Sequence, residues 1–138
     1  MILKENPELT QSDYERISEI FELVEWGIRE SNDIESTFAK STFTCLIWEN
    51  DTIVGFGRTF DDGKYYATIC DVAIDPSYQG KGLGTQIVAN LKSRLKGYLF
   101  ITLTAAPGKG EFYQKLGWRK QTSAYIAPVS QQQTKEHT

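Results

Sequence analysis

The sequence has few of the residues that build metal sites and disulfides. It contains one histidine, His137, and two cysteines, Cys45 and Cys70, among 138 residues. No Cys-x-x-Cys pair or cysteine–histidine cluster is present, and both cysteines stand in apolar, strand-like runs. We therefore expect two buried free thiols, without a disulfide or a metal site.

Long apolar runs and an excess of positive charge are also lacking. No stretch approaches the roughly 18 apolar residues of a membrane span, and residues 1–7 turn polar before a signal-peptide core could form. The formal net charge is -3, whereas non-specific nucleic-acid binding requires a clustered basic surface. These absences predict a cytoplasmic protein with neither a membrane nor a nucleic-acid partner.

What is present is the composition of a globular domain. Apolar residues make up 40% of the chain and charged residues 24%. A protein of this length buries about two thirds of the surface that its unfolded chain exposes, which is enough for a core. We expect one domain over residues 1–129, followed by a polar, disordered tail over residues 130–138.

The spacing of apolar residues changes from a helical to a strand period along the chain. Helical spacing predicts helices over residues 10–24 and 32–39, separated by a break at Trp26-Gly27. Alternation then predicts three antiparallel strands, over residues 42–49, 53–60 and 65–74. Later elements are expected as a helix after residue 82, a buried strand over 98–104, a short helix over 111–116 and one or two strands over 118–129. This order of elements indicates an α/β (α+β) fold.

A glycine-rich turn, Gln79-Gly80-Lys81-Gly82-Leu83-Gly84, joins the third strand to the next helix. Glycines let the backbone approach a ligand closely, and the free amides at a helix start bind phosphate. The side chains of Gln79 and Lys81 add donors and charge. The turn lacks a Walker-type ending and a downstream ribose-binding acid, so neither nucleotide fingerprint fits. Glycine spacing alone leaves open a tight turn without a ligand.

Two segments carry a family resemblance. The run Asp71-Val72-Ala73-Ile74-Asp75-Pro76-Ser77-Tyr78 followed by the glycine turn resembles motif A of the GNAT acetyltransferase superfamily. The run Glu111-Phe112-Tyr113-Gln114-Lys115-Leu116-Gly117-Trp118 resembles its motif B. The motifs stand in the superfamily's order, and the resemblance covers residues 42–128. The run from Trp26 to Ala73 is similar to small bacterial members and plastid serotonin N-acetyltransferases.

The resemblance implies a fold and an activity. The fold is a mixed central sheet of about six to seven strands with about four flanking helices, splayed between the motif A strand and the next strand. The activity is acetyl transfer from acetyl-CoA to a primary amine, by direct attack in a ternary complex. An arylalkylamine or a lysine-like amine is the expected acceptor. Homodimers are common in the superfamily, so the resemblance is compatible with a homodimer.

The resemblance also implies which residues hold acetyl-CoA. Main-chain groups of the motif A strand would bond the pantetheine arm and polarise the thioester carbonyl. The glycine turn and the first residues of the helix would hold the pyrophosphate, and an aromatic residue of motif B would adjoin the cofactor. The residues concerned are Val72, Ala73, Ile74, Gln79, Gly80, Lys81, Gly82, Leu83, Gly84, Thr85 and Phe112.

Catalytic and acceptor residues follow from the same resemblance. Tyr113 is the expected general acid, which protonates the leaving thiolate. Thr68 stands where some members carry a basic glutamate, so Asp71 is the nearest carboxylate, although it can equally hold the sheet by hydrogen bonds. The expected acceptor pocket is formed by Trp26, Arg29 and Phe56.

Two other functions compete with acetyl transfer. Thr68 at the base position is compatible with a CoA-binding regulatory or interaction module that has lost turnover. The glycine turn is compatible with a nucleotide-phosphate-binding protein, which would require a metal site that the sequence does not offer. Tyr113 argues for the enzyme, because a module without turnover has no need of a phenol beside the thioester.

Overall fold

A computed structural model describes all residues from Met1 to Thr138. The chain divides into two compact units, residues 1–103 and 104–138, where the sequence predicted one domain and a tail. The first unit contains a five-stranded sheet in the order β1-β2-β3-β4-β5. Its strands are β1 (Ile2–Glu5), β2 (Thr44–Glu49), β3 (Thr52–Asp61), β4 (Tyr66–Ile74) and β5 (Phe100–Leu103). Its helices are α1 (Gln11–Leu23), α2 (Ser31–Ala39) and α3 (Leu83–Arg94).

Neighbouring strands from β1 to β4 are antiparallel, and β5 runs parallel to β4. The sheet is therefore mixed, as expected, but it has five strands where six to seven were predicted. The sequence did not predict β1, because its four residues are mostly exposed and do not alternate between apolar and polar side chains. None of the helices is long and apolar enough to cross a membrane.

Helix α1 covers one face of the sheet. Thr10 caps it, with its side chain accepting from the Asp13 amide while the Asp13 carboxylate accepts from the Thr10 amide. This reciprocal pair is a capping box, and it places the helix start where the sequence predicted it. The buried face of α1 packs with α2, β2 and β3 in one apolar cluster that includes Ile17, Ile20, Phe21, Phe38, Leu46 and Phe56.

Helix α3 covers the opposite face, where β3 carries two glycines, Gly55 and Gly57. A Cβ at Gly55 would stand 2.5 Å from the Ile74 side chain, and a Cβ at Gly57 would stand 2.7 Å from the Ile87 side chain. Both glycines therefore make room for apolar side chains against the strand.

Helices cover both faces of the sheet, so β2 is buried along nearly its whole length. Cys45 on β2 is a free, buried thiol. Cys70 is also free and is half-buried.

The second unit contains two helices, α4 (Gly110–Lys115) and α5 (Gln131–His137). The predicted strands over residues 118–129 are absent, and this stretch has no regular structure beyond a turn. Two features of the sequence explain why no strand forms there. Residues 119–123 are all polar or charged, and Pro128 has no amide N–H to donate to a neighbouring strand. The predicted disordered tail contains α5 instead. Ser130 caps it by accepting from the Gln133 amide at 3.0 Å, a Ser-x-x-Gln signal that the sequence displays.

Candidate active site

A β-bulge and a loss of strand pairing distinguish the C-terminal half of β4. Phe56 on β3 faces Ala73 and Arg58 faces Cys70, so Gly57 stands opposite two residues, Asp71 and Val72. Asp71 has a φ of 53°, a left-handed conformation that non-glycine residues seldom adopt. The parallel pairing of β4 with β5 ends at Ile69↔Leu103. Residues 70–74 therefore have an open edge on the β5 side, which is the splay implied by the resemblance.

The open edge offers main-chain groups from alternate residues. The Asp75 amide donates to Val54 O on β3 at 2.9 Å. Backbone groups alternate along a strand, so Ala73 also directs its N–H and C=O to β3, whereas Val72 and Ile74 direct theirs to the open edge. The backbone of Val72 and the amide of Ile74 are thus placed to bond a ligand. The Ala73 backbone is engaged in the β3–β4 ladder, opposite Phe56, so its contact with the cofactor stays a prediction.

A short turn leads from β4 into the glycine-rich segment. Asp75 caps a 3-10 turn, Pro76–Tyr78, by accepting from the Ser77 amide at 2.8 Å. The Gln79 side chain donates to Ile74 O at 3.1 Å, so this amide closes the turn. That bond uses one of the two N–H groups of the side-chain amide that the sequence assigned to the cofactor.

The glycine turn has the geometry of a phosphate cradle. Gly80 and Gly82 both have a φ of +80°, and a Cβ at either position would meet no atom within 4 Å. The first helical bond of α3 runs from the Gln86 amide to Gly82 O, and α3 has no side-chain cap. The amides of residues 80–85 therefore make no backbone hydrogen bond within the protein. Unpaired amides at the positive end of a helix attract an anion.

The side chains of this segment divide between core and solvent. Leu83 is buried, with 4% of its surface exposed, so it offers a ligand only its amide. Lys81 is exposed, and its ammonium lies 5.1 Å from the centre of the Tyr78 ring. Gly84 and Thr85 lie in the first turn of α3, where their amides precede the first intrahelical bond.

Asp71 is held between two guanidinium groups. Its Oδ1 accepts from Arg29 Nη1 at 3.0 Å, and its Oδ2 accepts from Arg58 Nε at 2.7 Å. The Asp71 side chain is only 12% exposed. Both carboxylate oxygens are thus engaged by guanidinium groups, and this arrangement suits an anchor for the bulge better than a general base. Thr68 lies within the ladder, paired with Phe60 and Thr102.

The predicted acceptor residues separate into a core residue and two half-buried ones. Phe56 is fully buried between Phe21 and Phe38, so its side chain presents no surface to an acceptor in this structure. Its alternation in β3 could not reveal this, because both faces of the sheet are covered. Trp26 and Arg29 lie in the connection between α1 and α2, and both remain partly exposed.

In the second unit, Phe112 and Tyr113 are adjacent residues of α4. Their ring centres are 4.9 Å apart, and Trp118 lies 6.3 Å from Tyr113. Gly117, with a φ of 89°, lets the chain turn so that the Trp118 amide donates to Tyr113 O. Burial raises the pKa of the Tyr113 phenol above its ordinary value. The phenol is therefore fully protonated at neutral pH, as a general acid must be.

Sequence comparison decides the family. The model of the GNAT acetyltransferase domain matches residues 12–127, which is most of the chain. The chain belongs to the GNAT acetyltransferase family. Members of this GNAT family use acetyl-CoA as co-substrate, and the open β4 edge with the cradle at Gly80 and Gly82 fits such a ligand.

Named relatives and a solved structure agree with this assignment. The chain is 33% identical over 112 residues to the ycf52-like N-acetyltransferase of Prochlorococcus marinus, covering 77% of this chain and 62% of that protein. It is 30% identical over 118 residues to the chloroplastic serotonin N-acetyltransferase 2 of Oryza sativa, covering 79% and 58%. A GNAT family acetyltransferase of Streptococcus pneumoniae has the same fold, with a TM-score of 0.75, 20% identity and coverage of 94% and 98%. The chain thus spans about three fifths of the length of these two sequence relatives.

Proposed function

We propose that this protein is an acetyl-CoA-dependent N-acetyltransferase that acts on a primary amine. The proposal depends on two features of one strand-turn-helix unit. One can bond a ligand through free main-chain groups of a strand, and the other can bind an anion through free amides. These are the open edge at Val72 and Ile74 and the unpaired amides of residues 80–85. In this proposal, the cradle holds the pyrophosphate and the open edge holds the pantetheine arm.

The bound co-substrate would supply an acetyl thioester, whose carbonyl carbon the amine attacks. The Val72 amide would polarise the carbonyl oxygen, because backbone donors fixed in place stabilise developing negative charge without reorganising. The resemblance of residues 111–118 to motif B assigns the protonation of the departing sulfur to Tyr113. The raised pKa of Tyr113 keeps the phenol protonated at neutral pH, so a proton is available to the sulfur as it leaves.

The reaction also requires that the acceptor amine lose its proton before it attacks. An alkylamine with a pKa near 10.4 costs about 4 to 5 kcal/mol to deprotonate at neutral pH. Asp71 is engaged by Arg29 and Arg58, and we assign it to positioning the bulge. The proton would then leave through water, and no side chain of this chain is assigned as the base.

The proposal is tested by thermal unfolding with and without acetyl-CoA, followed by thiol release with a panel of primary amines. A ligand that binds only the folded state at a hundred times its Kd stabilises it by about 2.7 kcal/mol. We expect a rise in Tm and amine-dependent release of the thiol. A rise without release would favour the CoA-binding module instead, and no rise would contradict our interpretation of the glycine turn. A rise with ATP and magnesium alone would favour the nucleotide-binding alternative. The cytoplasmic location stays a prediction.

A further inference from the structure

Arg29 is a partly exposed arginine whose position is set at three points. Ser18 Oγ donates to its carbonyl oxygen at 2.6 Å, its guanidinium carbon lies 4.1 Å from the centre of the Phe21 ring, and its Nη1 donates to Asp71. The side chain nevertheless keeps 41% of its surface exposed. A long side chain that is already ordered loses little entropy when it binds a ligand.

The charges around Asp71 do not cancel. Arg58 is largely buried. Its guanidinium donates from Nε to Asp71 Oδ2 and from Nη1 to Ser41 Oγ, the latter at 3.2 Å. Asp71 in turn has one arginine on each oxygen, so it presents no free carboxylate to an ammonium group. Two guanidiniums and one carboxylate leave a net positive charge, and Arg29 is the member of the cluster that solvent reaches.

This cluster adjoins the part of β4 that binds the thioester in the proposed function. Asp71 directly precedes Val72 along the strand, and its bulge begins the open edge. A group held by Arg29 would therefore lie beside the strand at which the amine has to attack. That placement suits a recognition group on the acceptor.

We propose that Arg29 binds an oxyanion of the acceptor, so that the substrates are primary amines that also carry a carboxylate or a phosphate. The planar fork of a guanidinium matches both groups. This inference rests on the proposed function. In the reaction, the new bond forms between the amine nitrogen and the acetyl carbon while the carbon–sulfur bond breaks. The amine loses a proton, the sulfur gains one, and the oxyanion is unchanged.

The test compares amines in pairs that differ only in the oxyanion. Tryptophan and tryptamine form the carboxylate pair, and O-phosphoethanolamine and ethanolamine form the phosphate pair. Thiol release from acetyl-CoA gives kcat/KM for each amine, computed on its free-base concentration so that unequal amine pKa values do not mislead. A charge-assisted contact predicts that the anionic member of at least one pair is favoured about tenfold or more. The pair that responds identifies the source of the oxyanion.

The variants separate recognition from folding. Arg29→Gln should bring the ratio within the responding pair to about one, with the KM for acetyl-CoA changed by less than about twofold. Arg29→Lys keeps a cation for Asp71 but loses the fork, so its ratio should also fall. The matched control is Lys64→Gln, which removes one positive charge from an exposed turn and should leave the ratio unchanged.

Each alternative outcome is distinct. Neutral amines that react as well as their anionic partners in both pairs would overturn the inference and leave the proposed function standing. A preference for the anion that persists in Arg29→Gln would also overturn it, since another residue would then be responsible. No thiol release with any amine would overturn the proposed function together with the inference.

Discussion

At the scale of single residues, Tyr113 tests the chemistry. Its half-buried phenol has a pKa raised above the ordinary value by burial, so loss of activity through its ionisation belongs on the far alkaline side of the pH–rate profile. Replacing it by phenylalanine keeps the ring contacts with Phe112 and Trp118 and removes only the proton. We expect Tyr113→Phe to lower kcat about 100-fold, and to abolish the alkaline limb of the pH–rate profile.

The control for this experiment is Tyr125→Phe. Tyr125 belongs to the same unit and is 96% exposed, so its hydroxyl has no buried role and turnover should not change. Turnover of Tyr113→Phe equal to that of the parent at every pH would show that the acid is another group.

The glycines of the cradle can be compared with a glycine of the same conformation elsewhere. Gly63 has a φ of +79° and open space where its Cβ would lie, as do Gly80 and Gly82. Alanine at any of the three should reduce the free energy of unfolding by about 1 to 2 kcal/mol, because left-handed backbone is strained for a residue with a Cβ. We expect only Gly80→Ala and Gly82→Ala to raise the Kd for acetyl-CoA, measured by calorimetry. Equal affinity in all three variants would contradict the phosphate cradle.

At the scale of elements, Arg16 and Asp75 connect α1 to the sheet and to the turn after β4. Arg16 Nη2 lies 2.5 Å from Asp75 Oδ2, and Arg16 Nε donates to Ile53 O at 2.9 Å. Burial opposes ionisation of Asp75, but hydrogen bonds from Arg16 and the Ser77 amide outweigh it and lower the pKa of the carboxyl. This ion pair thus holds the residue that caps the approach to the glycine turn, and no sequence pattern pointed to it.

A lowered pKa gives the ion pair a defined dependence on pH. Its contribution to stability is complete above the unfolded-state pKa of about 3.9 and is lost as the pH falls through the lower pKa of the folded state. We expect Asp75→Asn to reduce the free energy of unfolding by about 1 to 3 kcal/mol at pH 7, and by progressively less below about pH 4. Urea unfolding at a series of pH values measures both. Asp51→Asn, in an exposed turn, is the control, and an Asp75→Asn deficit that stays constant down to pH 2 would contradict the linkage.

At the scale of the whole molecule, α5 tests where the folded part of the chain ends. It has seven residues, most of them exposed, and its caps come from Ser130 and Gln133 within the same segment. Isolated helices this short are marginal in water. We expect deletion of residues 130–138 to change the free energy of unfolding by less than about 0.5 kcal/mol, with turnover retained. Hydrogen exchange should show rapid exchange of the α5 amides, and a deletion that prevents folding would contradict this prediction.

Local sequence was enough for features that depend on near neighbours. The start of α1 at Thr10, the three meander strands, the glycine turn and the start of α3 all depend on residues within a few positions of one another. Their spacing therefore predicted them, and motifs A and B predicted the family. The Ser-x-x-Gln start of α5 was equally local but lies in a polar segment without apolar periodicity, which is why composition predicted disorder there.

Only the tertiary structure decided which residues at the site are free to act. Asp71 could have been a base or an anchor in the sequence, and two arginines from distant segments make it an anchor. Phe56 looked available to an acceptor, but helices on both faces bury β3. Ala73 follows Val72 in motif A, yet the register of β3 against β4 turns the Ala73 backbone away from the open edge. In each case the deciding contact joins residues far apart in the chain, and a sequence pattern records which groups are present but not which of them are already engaged.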